Sequence, residues 1–444
     1  MEDTGISSPL LPEHRKQNGC SSNTTSSSTN GSASISGAVF NVSTSIVGAG
    51  IMSIPATLKV LGVIPAIGLI LIIAILADIS ADFLLRFTNS EKSTYAGVMG
   101  DSFGRVGSIM LQICVMITNL GCLIIYLIII GDVLSGTGEG SAMHFGVLRE
   151  WFGVHWWNSR AFVILFTLVF VLLPLVLFKR VESLRFTSAI SIALAVVFVV
   201  ISTVMAISAL WQGKTNSPKL VPELVNKASF FELFTAVPVI VGAFTFHFNV
   251  HPIGAELGKP SDMVTAVRIS LVFCSAIYIF VGFFGYLLFG ESIMPDILVN
   301  FDQNFGSAVG SILNDVVRLS FALHLMLVFP LLNFSLRINL DGLLFPKCRP
   351  LASHRIRFIL LTCLLLVLVY IIAIAIPNIW YFFQFMGSTT GLCIAFIFPG
   401  AIVLRDVHGI STTKDKTLAV LMIGLAVITS SIAIFSNITS LVAR

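Results

Sequence analysis

Long apolar stretches separated by short polar connections dominate the chain after about residue 35. Most of these stretches approach or exceed the roughly 18 residues that a helix needs to cross the hydrocarbon of a bilayer. The pattern therefore predicts eleven membrane-spanning helices. They are expected near residues 37–60, 62–86, 106–134, 161–178, 186–211, 232–257, 266–289, 308–334, 356–376, 379–404 and 417–440.

The composition agrees with a protein whose solvent is lipid. Hydrophobic residues make up 56% of the 444 positions and charged residues 11%, and the mean hydropathy is +0.96. A soluble chain carries charge at about a quarter of its positions. The net charge of +4 does not indicate a nucleic-acid partner, because the Lys and Arg residues flank the spans instead of forming a basic stripe. These numbers predict an all-α integral membrane protein embedded in a lipid bilayer.

The first 35 residues form a separate polar segment. Residues 21–30 are all Ser, Asn or Thr, and such a tract cannot bury enough apolar surface to fold. We therefore expect a disordered N-terminal tail at 1–35 and a transmembrane domain at 36–444. Leu10 and Leu11 resemble a dileucine sorting signal, although Ile6 stands where such a signal usually has an acidic residue. Sorting or signalling proteins that bind this tail are candidate partners.

The distribution of positive charge predicts how the chain is oriented. With the tail in the cytosol, eighteen Lys and Arg residues fall on the cytosolic side of the eleven spans and seven on the opposite side. Cytosolic loops of membrane proteins carry this excess. The bias predicts a multi-pass protein with a cytosolic amino terminus.

The first span is interrupted in its middle. Gly48 and Gly50 lie at its centre and Pro55 follows about one turn later. Glycine costs a helix about 1 kcal/mol relative to alanine, and proline is tolerated only in the first turn of a helix. The pattern predicts one helix that ends near Gly48 and another that starts near Gly50. Close packing of two helices through small residues is the alternative interpretation.

The sixth span repeats this pattern, with small and polar residues from Gly242 to Asn249 followed by Pro252. The two interrupted spans lie five spans apart, so they cross the membrane in opposite directions. Inverted repeats of five spans require this arrangement. We therefore expect one repeat at about 37–211, a second at about 232–404, and one extra helix at about 417–440.

Two broken helices at the middle of a membrane create a binding site for a zwitterion. The amino end of a half-helix offers N–H groups to a carboxylate, and the carboxyl end of another offers carbonyl oxygens to an ammonium group or a cation. A small amino acid fits both ends.

The motifs in these two spans resemble those of the amino acid/auxin permease family. They are Phe40-Asn41-Val42-Ser43 followed by Ile46-Val47-Gly48-Ala49-Gly50-Ile51, then Phe244-Thr245-Phe246-His247-Phe248-Asn249, with Val328-Phe329-Pro330 in the eighth span. That family includes sodium-coupled neutral amino acid transporters and vacuolar amino acid transporters. The resemblance implies the five-plus-five inverted repeat of the LeuT-like fold and transport of amino acids by alternating access. Spans one, two, six and seven would move against spans three, four, eight and nine.

The resemblance also implies which residues bind substrate. The backbone of the first break would contact the carboxylate, and the sixth span would close the other side of the site. The expected substrate-binding residues are Thr44, Ser45, Gly48, Ala49, Gly50, Ile51, Phe244, Thr245, Phe246, His247 and Asn249. The Thr44 and Ser45 hydroxyls could instead bond to their own helix.

The residues leave the driving ion open between a proton and sodium. Asn41 matches the first-span asparagine at or near the cation site of the sodium-coupled members, and its amide oxygen suits a hard cation. In the eighth span, where the sodium pattern needs hydroxyl groups, only Ser320 remains as an obvious ligand. His247 and His324 are ionisable groups inside spans, and histidine can carry a proton near neutral pH. This balance favours proton coupling, with no bound cofactor and no metal beyond sodium at Asn41 and Ser320.

Three classes of function remain for such a chain, which are a transporter, a nutrient sensor and a membrane enzyme. An enzyme is not expected, because no metal-binding or nucleophile motif can be recognised from spacing. A nutrient sensor that signals through the tail would share the pocket of a transporter. We expect a proton-coupled symporter of neutral or acidic amino acids in a vacuolar, lysosomal or other endomembrane, with the plasma membrane as the alternative.

Overall fold

The computed structural model describes residues 34–88, 94–137, 144–178, 184–215, 217–222, 227–257, 259–301, 308–346, 351–376 and 379–442. The predicted N-terminal tail therefore lies almost entirely outside the described residues. The α-helices are α1 (Ile35–Ile46), α2 (Gly50–Leu61), α3 (Val63–Arg86), α4 (Tyr95–Ser135), α5 (Val147–Phe152), α6 (Arg160–Thr167), α7 (Leu173–Val176), α8 (Arg185–Trp211), α9 (Lys227–Ala243), α10 (His247–Gly254), α11 (Pro260–Phe289), α12 (Ile297–Asn300), α13 (Ala308–Leu344), α14 (Arg355–Ala375), α15 (Ile379–Met386), α16 (Phe398–Arg405) and α17 (Thr413–Val442).

Short irregular elements complete the described chain. Two-residue strands β1 (Gly136–Thr137) and β2 (His144–Phe145) pair antiparallel beyond the end of α4. Three stretches of π-helix join neighbouring α-helices, and they span Leu168–Leu172, Gly387–Gly391 and Cys393–Ile397. Single 3₁₀ turns occur at Trp156–Asn158, Gly290–Ser292 and Leu351–Ser353.

The predicted all-α membrane architecture is confirmed. Within the described residues, nine helical segments are long and apolar enough to cross a membrane, and the bent pair α1–α2 adds a tenth. The segment Arg160–Val176 is apolar but shorter. It lies where the fourth span is predicted, so every predicted span coincides with a helix or a bent helix pair. The total of eleven crossings stays a prediction.

Two helices extend well beyond the predicted spans, because hydropathy detects contact with lipid and not the helix itself. Helix α4 begins at Tyr95, eleven residues before the predicted third span, and its backbone turns sharply at Gly104, where φ is +64°. Helix α13 continues to Leu344, ten residues beyond the predicted eighth span. Arg337, counted above among cytosolic charges, therefore lies inside this helix. It is buried there, with its guanidinium 3.9 Å from the centroid of the Phe358 ring.

The interrupted helices lie at the centre of the bundle. Helix α1 packs against α11 and α8, and α2 packs against α9. The most apolar windows of Leu233–Gly254 and Gly310–Leu344 are 72% and 78% buried, whereas that of Thr413–Ser436 is 22% buried. The sixth and eighth spans are thus enclosed by protein, and α17 lies at the periphery.

Polar contacts group the connections at the two ends of the bundle. At one end, Lys219 pairs with the carboxylate of Glu291, and Lys59 donates a hydrogen bond to the backbone carbonyl of Glu291. At the other end, Arg86 pairs with Asp415 at 3.1 Å. The connections after the first, fifth and seventh spans therefore meet at one end, as the predicted alternation requires. The assignment of the Arg86 end to the cytosol stays a prediction.

Candidate functional site

The first and sixth spans are both broken where the sequence predicts. Helix α1 ends at Ile46 and α2 begins at Gly50, with a bend of 55° between them. Helix α9 ends at Ala243 and α10 begins at His247. Because both segments are buried, the backbone groups released at the breaks face protein and not lipid.

The two breaks touch each other. A Cβ atom placed on Gly50 would lie 2.8 Å from the Cβ atom of Ala243, which is closer than real Cβ contacts. The hydroxyl of Tyr126 lies against Gly48 in the same way. Glycine at positions 48 and 50 therefore permits the close approach of α4 and α9.

One tyrosine hydroxyl joins the carboxyl ends of both half-helices. Tyr278 lies in α11 and is fully buried. Its oxygen is 2.6 Å from the carbonyl oxygen of Ile46 and 2.9 Å from that of Ala243, and both are acceptors for the single O–H group. The ring also packs edge-to-face on Phe244, with a centroid distance of 5.0 Å. Tyr278 thus fixes the distance between the two breaks.

A histidine connects the first break to two other helices. His324 lies in α13 with no exposed surface, and its Nε2 atom is 2.9 Å from the carbonyl oxygen of Val47. Its Nδ1 atom is 2.7 Å from the carbonyl oxygen of Ser191 and 2.9 Å from the Oγ atom of the same residue in α8. Each ring nitrogen therefore faces a carbonyl oxygen.

The N–H groups of the first break are partly used within the break. Gly48 donates to the carbonyl of Ile46, and Ile51 donates to the carbonyl of Gly48. Among the described residues, the structure records no acceptor for the N–H group of Gly50. This group is the first of α2, where the helix dipole favours negative charge.

The polar side chains of α1 connect it to α8 and α10. Thr44 donates from Oγ1 to the carbonyl of Ser188 at 3.2 Å. Ser45 donates to the carbonyl of Asn41 and accepts a hydrogen bond of 3.0 Å from Nδ2 of Asn249. Asn249 of α10 therefore contacts α1, while a role of either residue in substrate binding stays a prediction.

The two side chains expected at a sodium site differ in their contacts. The Oδ1 atom of Asn41 is buried and has no hydrogen-bond partner among the described residues. Ser320 donates to the carbonyl of Val317 in its own helix. Asn41 and Ser320 thus both retain an oxygen atom whose lone pairs could bind a cation.

The sixth break contributes aromatic and polar groups. Phe244 and Phe246 have no exposed surface, and Phe246 stacks on His247. Thr245 donates back to the carbonyl of Val241, one turn earlier in α9. His247 contacts Oγ of Ser80 in α3 through Nε2 at 2.5 Å, and its buried Nδ1 has no partner among the described residues.

The sequence did not identify Tyr278, Ser191 or Ser80 as parts of the site. Each is one of several polar residues in a largely apolar helix, and the sequence carries no signal for which face meets the breaks. Tyr126 and Asn119 are two further buried polar residues, both in α4. The structure places Tyr126 at Gly48, and Asn119 donates to Ser335 at 3.3 Å. No cluster of His, Cys, Asp or Glu suited to a metal ion occurs in the described ranges.

Comparison with known proteins identifies the family. Residues 31–441 match the family described as "Transmembrane amino acid transporter protein". Amino acid transporter AVT6C from Arabidopsis thaliana is 61% identical over 420 residues, which cover 94% of this chain and 97% of that protein. Sodium-coupled neutral amino acid transporter 7 from Danio rerio is 27% identical over 423 residues, covering 92% and 87% of the two chains.

Solved structures show the same fold at low sequence identity. MhsT in complex with L-phenylalanine aligns with a TM-score of 0.60 at 15% identity, over 91% of this chain and 98% of that one. A mutant manganese transporter from Eremococcus coleocola also gives a TM-score of 0.60, at 14% identity over 92% and 87% of the chains. The LeuT-like fold expected from the resemblance is therefore confirmed. With its sequence matched over almost its whole length, this chain belongs to the amino acid/auxin permease family of transmembrane amino acid transporters.

Proposed function

We propose that this protein is a secondary active transporter of small neutral amino acids, driven by protons and working by alternating access. The position of His324 between the first break and α8 is the observation that carries this proposal.

The substrate would lie beside the point where the two breaks touch. The N–H group of Gly50, at the amino end of α2, is oriented for a carboxylate and has no protein acceptor in the described residues. The carboxyl end of α9, at Ala243, lies against it and offers carbonyl oxygens to an ammonium group. The neighbouring Phe244 and Phe246 favour a neutral side chain over an acidic one.

Both ring nitrogens of His324 have hydrogen-bond partners in the neutral and in the protonated state. When neutral, the ring donates from Nε2 to the carbonyl of Val47 and accepts at Nδ1 from the Ser191 hydroxyl. When protonated, it donates from both nitrogens to the carbonyls of Val47 and Ser191. A buried group that finds partners in both states can bind and release a proton without leaving an unpaired polar atom.

The location of His324 couples this proton to movement. In the alternating-access scheme, α13 and the first span belong to the two groups of helices that move relative to each other. The bond from His324 to Val47 crosses between these groups. His247 bonds to Ser80 in the second span, and both lie in the same group. Protonation of His324 would therefore alter the moving interface more directly than protonation of His247.

An acidic endomembrane compartment, such as a vacuole or lysosome, would supply the proton gradient, and transport would export amino acids from it to the cytosol. The plasma membrane is the alternative location. A cytosolic orientation of the tail and of the Arg86 end is part of this proposal.

Sodium coupling is the second candidate, and Asn41 is the observation that favours it. Its buried Oδ1 atom lacks a hydrogen-bond partner in the described residues and is a suitable oxygen ligand. Ser320 would be the second side-chain ligand. The relative from Danio rerio named above is a sodium-coupled transporter by its name.

Uptake by the purified protein in liposomes tests the two candidates. Labelled neutral amino acids are supplied under a pH gradient alone, a sodium gradient alone, or neither. We expect accumulation with the pH gradient and none with sodium. Sodium-driven uptake that ignores the pH gradient would establish the second candidate and overturn the first.

The substitution His324→Gln tests the proton site. Glutamine keeps a hydrogen-bond donor but cannot carry the proton. We expect proton-driven accumulation to fall at least tenfold, while exchange of labelled for unlabelled substrate continues. His408→Gln, on a connection between spans, is the matched control and should transport normally. Proton-driven accumulation by His324→Gln at the wild-type level would refute the assignment.

A further inference from the structure

A short segment closes the end of the bundle that is predicted to face away from the cytosol. We call residues 293–301, between α11 and α13, the plug segment. Ile297, Leu298 and Phe301 in it are buried. Ser53 of α2 donates to the carbonyl of Pro295 at 2.8 Å. The plug segment is therefore wedged against the outer half of the first span, next to the proposed substrate site.

The plug segment contains a buried carboxyl group that is only half satisfied. Asp296 caps α12, because its Oδ1 atom accepts the N–H group of Leu298 at 2.9 Å. Its Oδ2 atom is buried and has no hydrogen-bond partner among the described residues. The whole side chain is 5% exposed. A buried carboxylate oxygen without a partner is costly, and a protonated carboxyl group avoids much of that cost.

The charged groups around Asp296 do not neutralise it. Asp296 shares a small cavity with Asp132 of α4, Arg318 of α13 and His144 of β2. Asp132 pairs with Arg160 at 2.8 Å, and Arg318 pairs with Glu150 at 3.0 Å.

The remaining charges at this end are also engaged elsewhere. Asp315 lies 3.9 Å from Arg318 and accepts a hydrogen bond from Trp151. On α2, Lys59 donates to the backbone carbonyl of Glu291, which precedes the plug segment. Within the described residues, no cation forms an ion pair with Asp296. Burial accordingly raises the pKa of Asp296 to about 7, against the effect of the Leu298 N–H group.

We propose that Asp296 is a proton-binding site whose protonation holds the plug segment closed, and whose ionisation opens it. Ionised Asp296 gains hydration only if the plug segment moves outward, so the charged form favours the open arrangement. The proposal rests on the alternating-access part of the proposed function. It is independent of the proton site at His324.

The sign of the pH effect follows from linkage. The closed arrangement binds the proton with a pKa of about 7, whereas a hydrated carboxyl group has a pKa of about 4. Closure therefore becomes more favourable as the pH at this face falls from about 7 towards about 4. On the acidic side of a membrane, protonation would close the entrance behind the substrate and direct its release to the opposite side.

Chemical labelling of the full chain in liposomes measures this opening. Val299 lines the same cavity and is partly exposed, so Val299→Cys provides a thiol in the plug segment. A membrane-impermeant methanethiosulfonate reagent is applied to the predicted non-cytosolic face, and labelling of the protein without this thiol is subtracted. The exposed substitution Lys214→Cys at the same end corrects for the pH dependence of thiol chemistry.

We expect corrected labelling to be about tenfold faster at pH 8 than at pH 5.5. Adding Asp296→Asn, which mimics the protonated group, should hold labelling at the slow rate at both pH values. Adding Glu291→Gln, an exposed acid on the same connection, should leave the pH dependence intact. Labelling of Asp296→Asn that still follows pH as in the parent protein would overturn the proposal.

A second variant keeps the proposal testable if Asp296→Asn does not fold. Asp132→Asn removes a like charge near Asp296 and releases Arg160, so the midpoint of the labelling curve should move to lower pH. An unmoved midpoint would also contradict the proposal. Failure of alternating access has a different signature, because saturating amino acid would then leave labelling unchanged at every pH.

Discussion

Gly50 lies directly against Ala243, so the starting point of α2 and the end of α9 are in contact inside the helix bundle. An added Cβ atom at Gly50 would approach the Ala243 Cβ atom to 2.8 Å and its Cα atom to 2.9 Å. Backbone atoms cannot move aside as the end of a flexible side chain can. A larger residue at position 50 must therefore separate the two breaks.

The substitution Gly50→Leu should abolish transport while the protein still inserts in the membrane. Overpacking of a dense interior typically costs about 1–3 kcal/mol, and here the strain falls on the proposed substrate site. Uptake of labelled amino acid in liposomes is the measurement. Gly68→Leu is the matched control, since nothing lies within 4 Å of a Cβ atom at that position. Normal uptake by Gly50→Leu would contradict a site between the breaks.

Tyr278→Phe should weaken the connection between the breaks without creating a cavity. The substitution removes one hydroxyl group and leaves the buried carbonyl oxygens of Ile46 and Ala243 without this donor. The loss of such a hydrogen bond costs about 1–3 kcal/mol. We expect a lower melting temperature in detergent and weaker substrate binding. Tyr370→Phe, whose hydroxyl makes a long bond of 3.3 Å to Ala161, is the control. Equal effects of the two substitutions would show that Tyr278 has no special role.

Ser191→Ala should move the pH at which transport is half-maximal to a higher value. The substitution removes the hydroxyl that donates to neutral His324, but it keeps the Ser191 carbonyl that accepts from the protonated ring. The neutral form is therefore destabilised relative to the protonated form. The measurement is proton-driven uptake between pH 5 and pH 8.

Ser202→Ala is the control for this substitution, because Ser202 is buried in the same helix and, among the described residues, donates to the carbonyl of Phe198 and not to His324. Its pH profile should match that of the unmodified protein. A shift to lower pH for Ser191→Ala would contradict the two-state description of His324.

The two breaks could be predicted from sequence because they depend on local backbone chemistry. Gly48, Gly50 and Pro55 disfavour a continuous helix wherever they occur, and the positions of the breaks agree with the structure. The grouping of Asn249 with the first span followed from the family resemblance. Local signals of this kind do not depend on how distant helices pack.

The contacts that hold the breaks together could not be predicted in the same way. Tyr278 lies 232 residues from Ile46 in sequence, and Ser191 lies 133 residues from His324. In apolar helices that are buried on several faces, hydropathy does not distinguish the face that meets the site. The same limitation explains the wrong placement of Arg337. Its positive charge suggested a cytosolic loop, but the residue is buried in α13.

The ion pair of Arg86 with Asp415 joins α3 to the start of α17. Two hydrogen bonds of 3.1 Å connect the guanidinium and the carboxylate, and Arg86 also pairs with Asp82 at 2.8 Å. Hydrogen bonds from Arg86 and from the Thr412 backbone lower the pKa of Asp415 to about 2. Since the pKa is lowered, the carboxylate stabilises the folded protein above about pH 4, and this contribution is lost only as pH falls through about 2.

Asp415→Asn should therefore reduce stability equally at every pH between 5 and 8. Because the pair is partly exposed and Asp82 remains to bind Arg86, the loss should be at most about 1 kcal/mol. Melting temperatures of the purified protein in detergent measure the effect. Lys414→Gln, which removes a neighbouring exposed charge, should change them less. A destabilisation by Asp415→Asn that disappeared between pH 8 and pH 5 would show that Asp415 titrates in this range, and that Arg86 does not hold it ionised.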